Sequence, residues 1–337
     1  MTDLLGWRSR LPRGGPQLAA LALALAANAV VSPDFFHLLL RDGRLFGSPV
    51  DILNRGAPTV LLGVGMALVI ATRGIDLSVG SVMAIAGAVA AAGVAHGLPW
   101  GVSIALALGA GVACGLWNGL LVAIMGIQPI VATLVLMVAG RGVAQLITSG
   151  RILTFDEPHL LWIGGGAIAG LPVAVVVALA AAALVLLMVR RTALALFIEA
   201  VGVNPQASRL AGVPSRAVLV YVYLVSGLLA ATAGVLAAAD IRAADANNAG
   251  LWLELDAILA VVLGGGSLYG GRFSLGLTVV GALTLQTLKT CILRAGFPPE
   301  FNLIAMAGVV AVVLVIQSPA VGALGGRLVP RLREVRL

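Results

Sequence analysis

Apolar residues gather along this chain in ten long runs, at 17–32, 57–72, 79–96, 100–124, 130–148, 168–189, 218–239, 256–270, 274–293 and 302–317. A helix that crosses a bilayer needs about 20 such residues, so each run predicts a membrane span. The second, eighth and tenth runs are short and stop at glycine-rich or charged breaks. They predict tilted or broken helices held inside the bundle, since backbone that leaves the helix at membrane depth must be buried in protein or beside water. The pattern as a whole predicts an all-α, polytopic integral membrane protein of about ten helices, a single transmembrane domain over 1–337. The first run follows Arg8, Arg10 and Arg13 and ends near Ala27-Asn28-Ala29. A cleaved signal peptide has similar features; the spans that follow, and the basic flank, predict an anchor instead.

The longest polar interruption with a helix signal of its own lies at 190–217. Arg190 and Arg191 stop the preceding run. Asn204-Pro205 then reads as an N-cap with proline at the first helical position. Gln206 to Ala211 make about two turns, Gly212 takes the C-cap position, and Pro214 prevents resumption. An ordinary basic loop is the plainer alternative. Two glycine-rich turns, TRGIDLSVG at 72–80 and GGGSLYGGR at 264–272, each precede a run rich in small residues and hint at an internal repeat. Neither is a phosphate loop, because GGGSLYGGR lacks the lysine that G-x-x-x-x-G-K-[ST] requires. No other stretch supplies one, so the chain does not hydrolyse ATP by that route.

Composition agrees with the membrane reading. Hydrophobic residues make up 60% and charged residues 10%, where a soluble domain carries about 25% charge; mean hydropathy is +1.08. Ten spans put both termini on one side, and arginine decides which. With the termini inside, the cytoplasmic segments hold 13 basic residues and four acids, and the outer segments six basic residues and ten acids. That asymmetry follows the positive-inside rule. It places the basic N-terminus (1–16), the 190–217 loop and the basic tail (318–337) in the cytoplasm. It also accounts for the pI of about 10.6 without a nucleic-acid partner. Cys114 and Cys291 lie in apolar runs and suggest no disulfide framework, and His37, His96 and His159 are too scattered for a transition-metal centre.

Polar residues inside the spans are candidates for function. Arg141 is costly in lipid, at about +2.5 kcal/mol or more near the centre, and should face the bundle or a wet pathway. Thr133, Met137, Arg141 and Gln145 form one stripe at i, i+4 spacing. Asn118 follows Cys114 at the same spacing, and Gln286 and Thr290 align with Thr278 and Ala282. Helix-to-helix hydrogen bonding, worth about 0.6 kcal/mol per pair, is the alternative and suits Asn118 and Gln286 better. Asp76 reads as a cap for the helix starting near Ser78 rather than a proton carrier. An ion-driven carrier needs an ionisable group at midplane, and Arg141, the residue that qualifies, does not release its proton. Lys289, about one turn from the outer end, is expected to snorkel. The segment 240–256 reads as an external loop with Arg242, Asp245, Asn247, Asn248 and Trp252, the last also a common interfacial anchor.

Glu199-Ala200, Gly202, Asn204, Ala207, Arg209 and Ala211-Gly212 resemble the coupling loop of ABC importer permeases. The resemblance runs from about residue 44 to 317, through RLFGSPVDILNRGAP, TRGIDLSVGSVMAIAG, WNGLLVAIMGIQPIVATLVLMVAGRGVAQLIT and ADIRAADANNAGLWLELDAILAVVLGGGSLYGGRF. GIDLSVG points to the branch that carries ribose and related monosaccharides, and ADANNAGLWLELDA to its galactofuranose members. The resemblance implies a multi-pass protein of the bacterial inner membrane that is no enzyme and binds no cofactor. A cytoplasmic ATPase, which uses ATP and Mg, would dock on the 190–217 loop. A periplasmic sugar-binding protein would meet the outer face at Arg41, Asp42, Arg44, Asp245 and Trp252. A second permease, identical or paralogous, would complete the pair. Sugar would pass Arg141, Gln145, Asn118, Gln286, Asn247 and Asn248 by alternating access. Galactofuranose is the expected sugar; ribose or another pentose or hexose is the alternative. An ion-coupled secondary carrier and an ungated channel are the rivals, and neither needs the capped helix at 204–212.

Overall fold

The computed structural model describes residues 14–41, 43–298 and 300–317. Asp42, the basic residues Arg8, Arg10 and Arg13, and the tail 318–337 therefore lie outside the described residues. Within them are thirteen helices: α1 (Gly15–Val31), α2 (Ser48–Ala71), α3 (Val79–Ala95), α4 (Trp100–Ala123), α5 (Pro129–Ile147), α6 (Pro158–Gly165), α7 (Val173–Arg191), α8 (Leu194–Val203), α9 (Pro205–Leu210), α10 (Ser215–Ile241), α11 (Leu253–Leu263), α12 (Leu275–Arg294) and α13 (Phe301–Gln317). Every apolar run of the sequence coincides with one of them; α6, α8 and α9 are additional. Six helices, α2, α4, α5, α7, α10 and α12, are long and apolar enough to cross a membrane. Helices α1, α3 and α13 have 17 residues and α11 has 11, so ten spans is an approximate count of a multi-pass membrane protein.

Three boundaries differ from expectation. The second span is not short: α2 has 24 residues and starts at Ser48, because Asp51, Asn54 and Arg55 mask its first turns in the hydropathy pattern. Pro58 lies inside it; one missing N–H bond is tolerable where neighbouring helices enclose the backbone. The sixth span begins at Val173 rather than 168, since Ala167–Ile168 (β4) and Leu171–Pro172 (β5) pair as a ribbon. The eighth is Leu253–Leu263, because Gly264, Gly265 and Gly266 end it and leave 264–272 as a turn.

Two more antiparallel ribbons, Leu39–Arg41 (β1) with Arg44–Phe46 (β2) and Leu153–Thr154 (β3) with Ala243–Ala244 (β6), gather at one end of the bundle with the third. The Leu45 N–H donates to the Gly170 carbonyl at 2.9 Å, joining the first and third. At the opposite end the close of α2, the close of α8 and the turn after α11 meet, with the Gly271 N–H donating to the Ala71 carbonyl at 2.9 Å. This sorting of connections between two ends is what alternating spans require.

Helix α10 runs through the centre, packed on α2, α3, α4 and α6. The span-length window of α2 is 78% buried inside the protein, while that of α5 is 22% and that of α4 is 28%. α2 is thus a core helix, and α4 and α5 offer broad faces to lipid or a partner. Lipid tails are as apolar as leucine, so such helices associate through close packing at small residues. Gly115 of α4 and Gly227 of α10 supply it: a Cβ on either would overlap a carbonyl oxygen of the other helix. Helix α1 lies on α12, where the buried Asn28 Nδ2 donates to the Thr287 carbonyl at 3.0 Å, as an anchor within the bundle would.

Candidate functional site

The capped helix forms. The Asn204 backbone is extended, and its Oδ1 accepts the N–H groups of Gln206 and Ala207, both at 3.0 Å. Helix α9 covers Pro205–Leu210: it starts at the proline as expected and ends one residue before the expected Ala211. Ala211 is its C-cap, and Gly212 follows with φ +84, the left-handed turn that stops a helix. The Ser208 hydroxyl turns inward and donates to the Asn204 carbonyl at 2.8 Å. Ala207, Arg209, Ala211 and Gly212 face solvent with Asn204, whereas Glu199 is half-buried and Gly202 is buried against α2. The residue that sequence reasoning missed is Leu210, 92% exposed at the tip.

At the ribbon end, four of the six pathway candidates come together. The Arg141 guanidinium donates to the carbonyls of Ala246, at 3.0 Å, and Ala249. Gln145 Nε2 donates to Asn247 Oδ1 at 2.8 Å. Asp245 accepts Asn248 Nδ2 at 2.7 Å and the backbone N–H groups of Asn247 and Asn248. The Asn248 amide foremost, then those N–H groups and the Arg141 charge, hold the Asp245 carboxyl below its ordinary value. Beside this cluster is a half-open cavity of about 230 Å³ lined by Asp245, Asn248 and small residues including Ala84, Gly87 and Gly234. Such a lining offers hydrogen-bond donors and acceptors next to apolar walls, which suits a small polyol. Asn118 and Gln286 are elsewhere: Asn118 is buried below, and Gln286 is half-buried on α12 against Gly56 of α2.

The segment 240–256 is not the free external loop its polarity suggests. Ala246 packs with Ala84, Ile85 and Ala88 of α3, Gly250 lies against Gly80, and Glu254 and Asp256 are buried in the first turn of α11. Nor does Lys289 snorkel: its Nζ pairs with the Asp256 carboxylate. A pairing partner within reach is a better destination than the interface for an ammonium on a half-buried helix. Removing one member of a buried pair strands the other charge, at about 3–5 kcal/mol. Lys289→Leu is therefore expected to lower the thermal unfolding midpoint in detergent sharply, and Lys289→Leu with Asp256→Leu to recover most of the loss.

Between the two ends lies a second polar network. Asp76, 2% exposed, accepts the Ser78 N–H at 3.1 Å and the Ser78 hydroxyl at 2.6 Å on one oxygen, and the Ser226 hydroxyl at 2.8 Å on the other. It thus satisfies a free N–H ahead of α3, as a capping acid does, and ties α3 to α10. Asn118 Nδ2 donates to Ser78 Oγ at 2.8 Å and adds α4. Thr133 of α5 accepts the Leu77 N–H at 3.2 Å. At the ribbons, Arg44 donates to the Gly165 carbonyl and stacks on Phe46 at 5.2 Å. Arg41 is opposite it in the ribbon register. Leu39 and Leu40, unforeseen in the sequence, are exposed on the same strand, and Trp252 is exposed too.

The family model described as branched-chain amino acid transport system / permease component matches residues 48–316. The chain is 60% identical to the galactofuranose transporter permease protein YtfT of Escherichia coli over 92% of its own length and 91% of the relative's. It is 41% identical to the fructose import permease protein FruF of Bifidobacterium longum, over 90% and 87%. It is 38% identical to the ribose import permease protein RbsC of Escherichia coli, over 89% and 92%. No solved structure matches it.

Proposed function

This chain belongs to that permease family, and on that footing we propose that it is the membrane subunit of an ATP-driven ABC importer for galactofuranose in the bacterial inner membrane. It is a transport component rather than an enzyme. The observation that carries the choice of sugar is the 60% identity to a galactofuranose permease along almost the whole of both chains, against 38% to a ribose permease.

The geometry supports a division of labour. A cytoplasmic ATPase binds ATP and Mg and docks on the exposed face of α9. A periplasmic binding protein delivers sugar to the ribbon end, near Arg41, Arg44, Asp245 and Trp252. A second permease, a copy or a paralogue, packs on one of the broad exposed faces. Sugar enters at Arg141, Gln145, Asn247 and Asn248 and leaves inward as the halves rock about the site. A furanose presents a five-membered ring and an exocyclic diol, and the oxygens of Asp245, Asn247 and Asn248 suit its hydroxyls. Few strong contacts are wanted, because a site that binds tightly traps its cargo. An ion-coupled carrier is disfavoured by the likeness to sugar import permeases, and two buried acids are already engaged, Asp76 by Ser78 and Ser226 and Asp256 by Lys289.

The test is competition among sugars in proteoliposomes that hold all subunits and the binding protein. Labelled galactofuranose should be taken up more efficiently than ribose or galactopyranose. Much higher efficiency with either competitor would overturn the sugar assignment and leave the importer reading standing.

A further inference from the structure

We infer that Arg73 is the positioning residue that carries movement from the ATPase-facing helix into the transport core. The inference rests on the importer reading and adds the route by which force travels.

Helix α2 ends in a Schellman turn: the Arg73 N–H donates to the Ile70 carbonyl at 2.9 Å and the Gly74 N–H to the Val69 carbonyl at 3.0 Å. The residue at the left-handed position of such a turn is usually glycine, because a side chain there is strained. Here it is Arg73, with φ +64. Strain of this kind persists where the surroundings hold the residue in place, and it points to a use for the side chain. The use is visible. Arg73 Nη2 donates to the Val203 carbonyl at 2.6 Å, and Nε donates to the Tyr269 carbonyl at 3.1 Å. Val203 is the last residue of α8, directly before Asn204, the cap of α9. Tyr269 belongs to the turn between α11 and α12.

One guanidinium therefore joins three elements: the close of the core helix α2, the base of the docking helix and the glycine-rich turn. The backbones beneath it are in contact. A Cβ on Gly202 would overlap the Ala71 carbonyl oxygen, and a Cβ on Gly270 would overlap the Arg73 side chain. The close of α8, from which α9 starts, therefore lies directly against the backbone of Ala71 and Gly271. Beyond Arg73 the chain leads within three residues to Asp76, whose hydrogen bonds reach α3 and α10. On the other branch the turn leads to α11 and α12. Arg73, inside the first glycine-rich turn, thus bonds the second at Tyr269. A planar fork of donors spans two carbonyls at once, which an ammonium does less well.

The experiment uses the complete transporter in proteoliposomes and reads sugar moved per ATP hydrolysed. That ratio does not depend on how much protein has folded. In Arg73→Ala, the ATPase should still co-purify and hydrolyse ATP, while sugar per ATP falls at least about fivefold, the low end of a coupling between sites. Arg73→Lys, milder for folding, should keep an intermediate ratio. A ratio equal to the parent's in both variants, with turnover and uptake falling together, would overturn the inference and reduce Arg73 to a structural tie. Failure of the parent chain to recruit an ATPase would instead overturn the importer reading, and this inference with it.

Discussion

Arg141→Leu should insert normally and carry almost no sugar. The side chain supplies donors to two carbonyls, those of Ala246 and Ala249, in a non-helical segment packed against α3. Leucine leaves both without a donor and removes a positive charge from beside Asp245. A buried acceptor left unmade costs about 1–3 kcal/mol, and about 1.4 kcal/mol in a barrier or a population is tenfold. Uptake is therefore expected to fall about ten- to a hundredfold if segment 245–252 must hold its shape for sugar to enter. Arg141→Lys should lie between, because a point charge serves one carbonyl better than two. Insertion measured by membrane fractionation, and uptake measured in the same vesicles, separate the outcomes. Leucine at this position with the parental uptake rate would make Arg141 a packing residue.

The second large effect is expected at α9. Tryptophans at Ala207 and Ala211 together would stand on an exposed face, where they disturb nothing inside the bundle. They should abolish sugar-stimulated ATP turnover while the thermal midpoint in detergent stays at the parental value. Asn204→Ala acts differently. It deprives the Gln206 and Ala207 N–H groups of their acceptor, at about 1 kcal/mol, in a six-residue helix with little intrinsic stability of its own. Partial loss of stimulation, without loss of the folded bundle, is the expected result. Full stimulated turnover in the double tryptophan variant would remove α9 from the docking surface.

The sequence was most legible where chemistry is local. Ten apolar runs became helices because a helix satisfies its backbone groups internally, as lipid requires; the eighth shrank to 11 residues where its glycines stopped it. Asn204-Pro205 and Gly212 announced a helix start and stop because caps act within a few residues. Arg141 stood out because charge is rare in a span, although what it binds, carbonyls about a hundred positions away, carries no sequence signal. The same holds for Lys289 and Asp256, two residues 33 positions apart whose pairing depends on how α11 meets α12. The start of α2 was hidden by Asp51 and Arg55, both exposed, and the half-buried Asn54, which interrupt the apolar pattern. The segment 240–256 looked like a solvated loop because its acids and asparagines are polar, yet Glu254 and Asp256 are buried in α11 and Asp256 pairs with Lys289. Arg73 gave no signal at all, since a left-handed backbone is legible at glycine and invisible at arginine.

The central claim is that this chain moves sugar only when a separate ATPase works on it. The direct measurement is uptake of labelled galactofuranose into proteoliposomes that hold the chain, the ATPase and the loaded binding protein, with ATP on the ATPase side and no ion gradient. The account predicts accumulation that stops when the ATPase is left out or ATP is replaced by a non-hydrolysable analogue. Accumulation driven by a proton or sodium gradient, with no ATPase present, would contradict it.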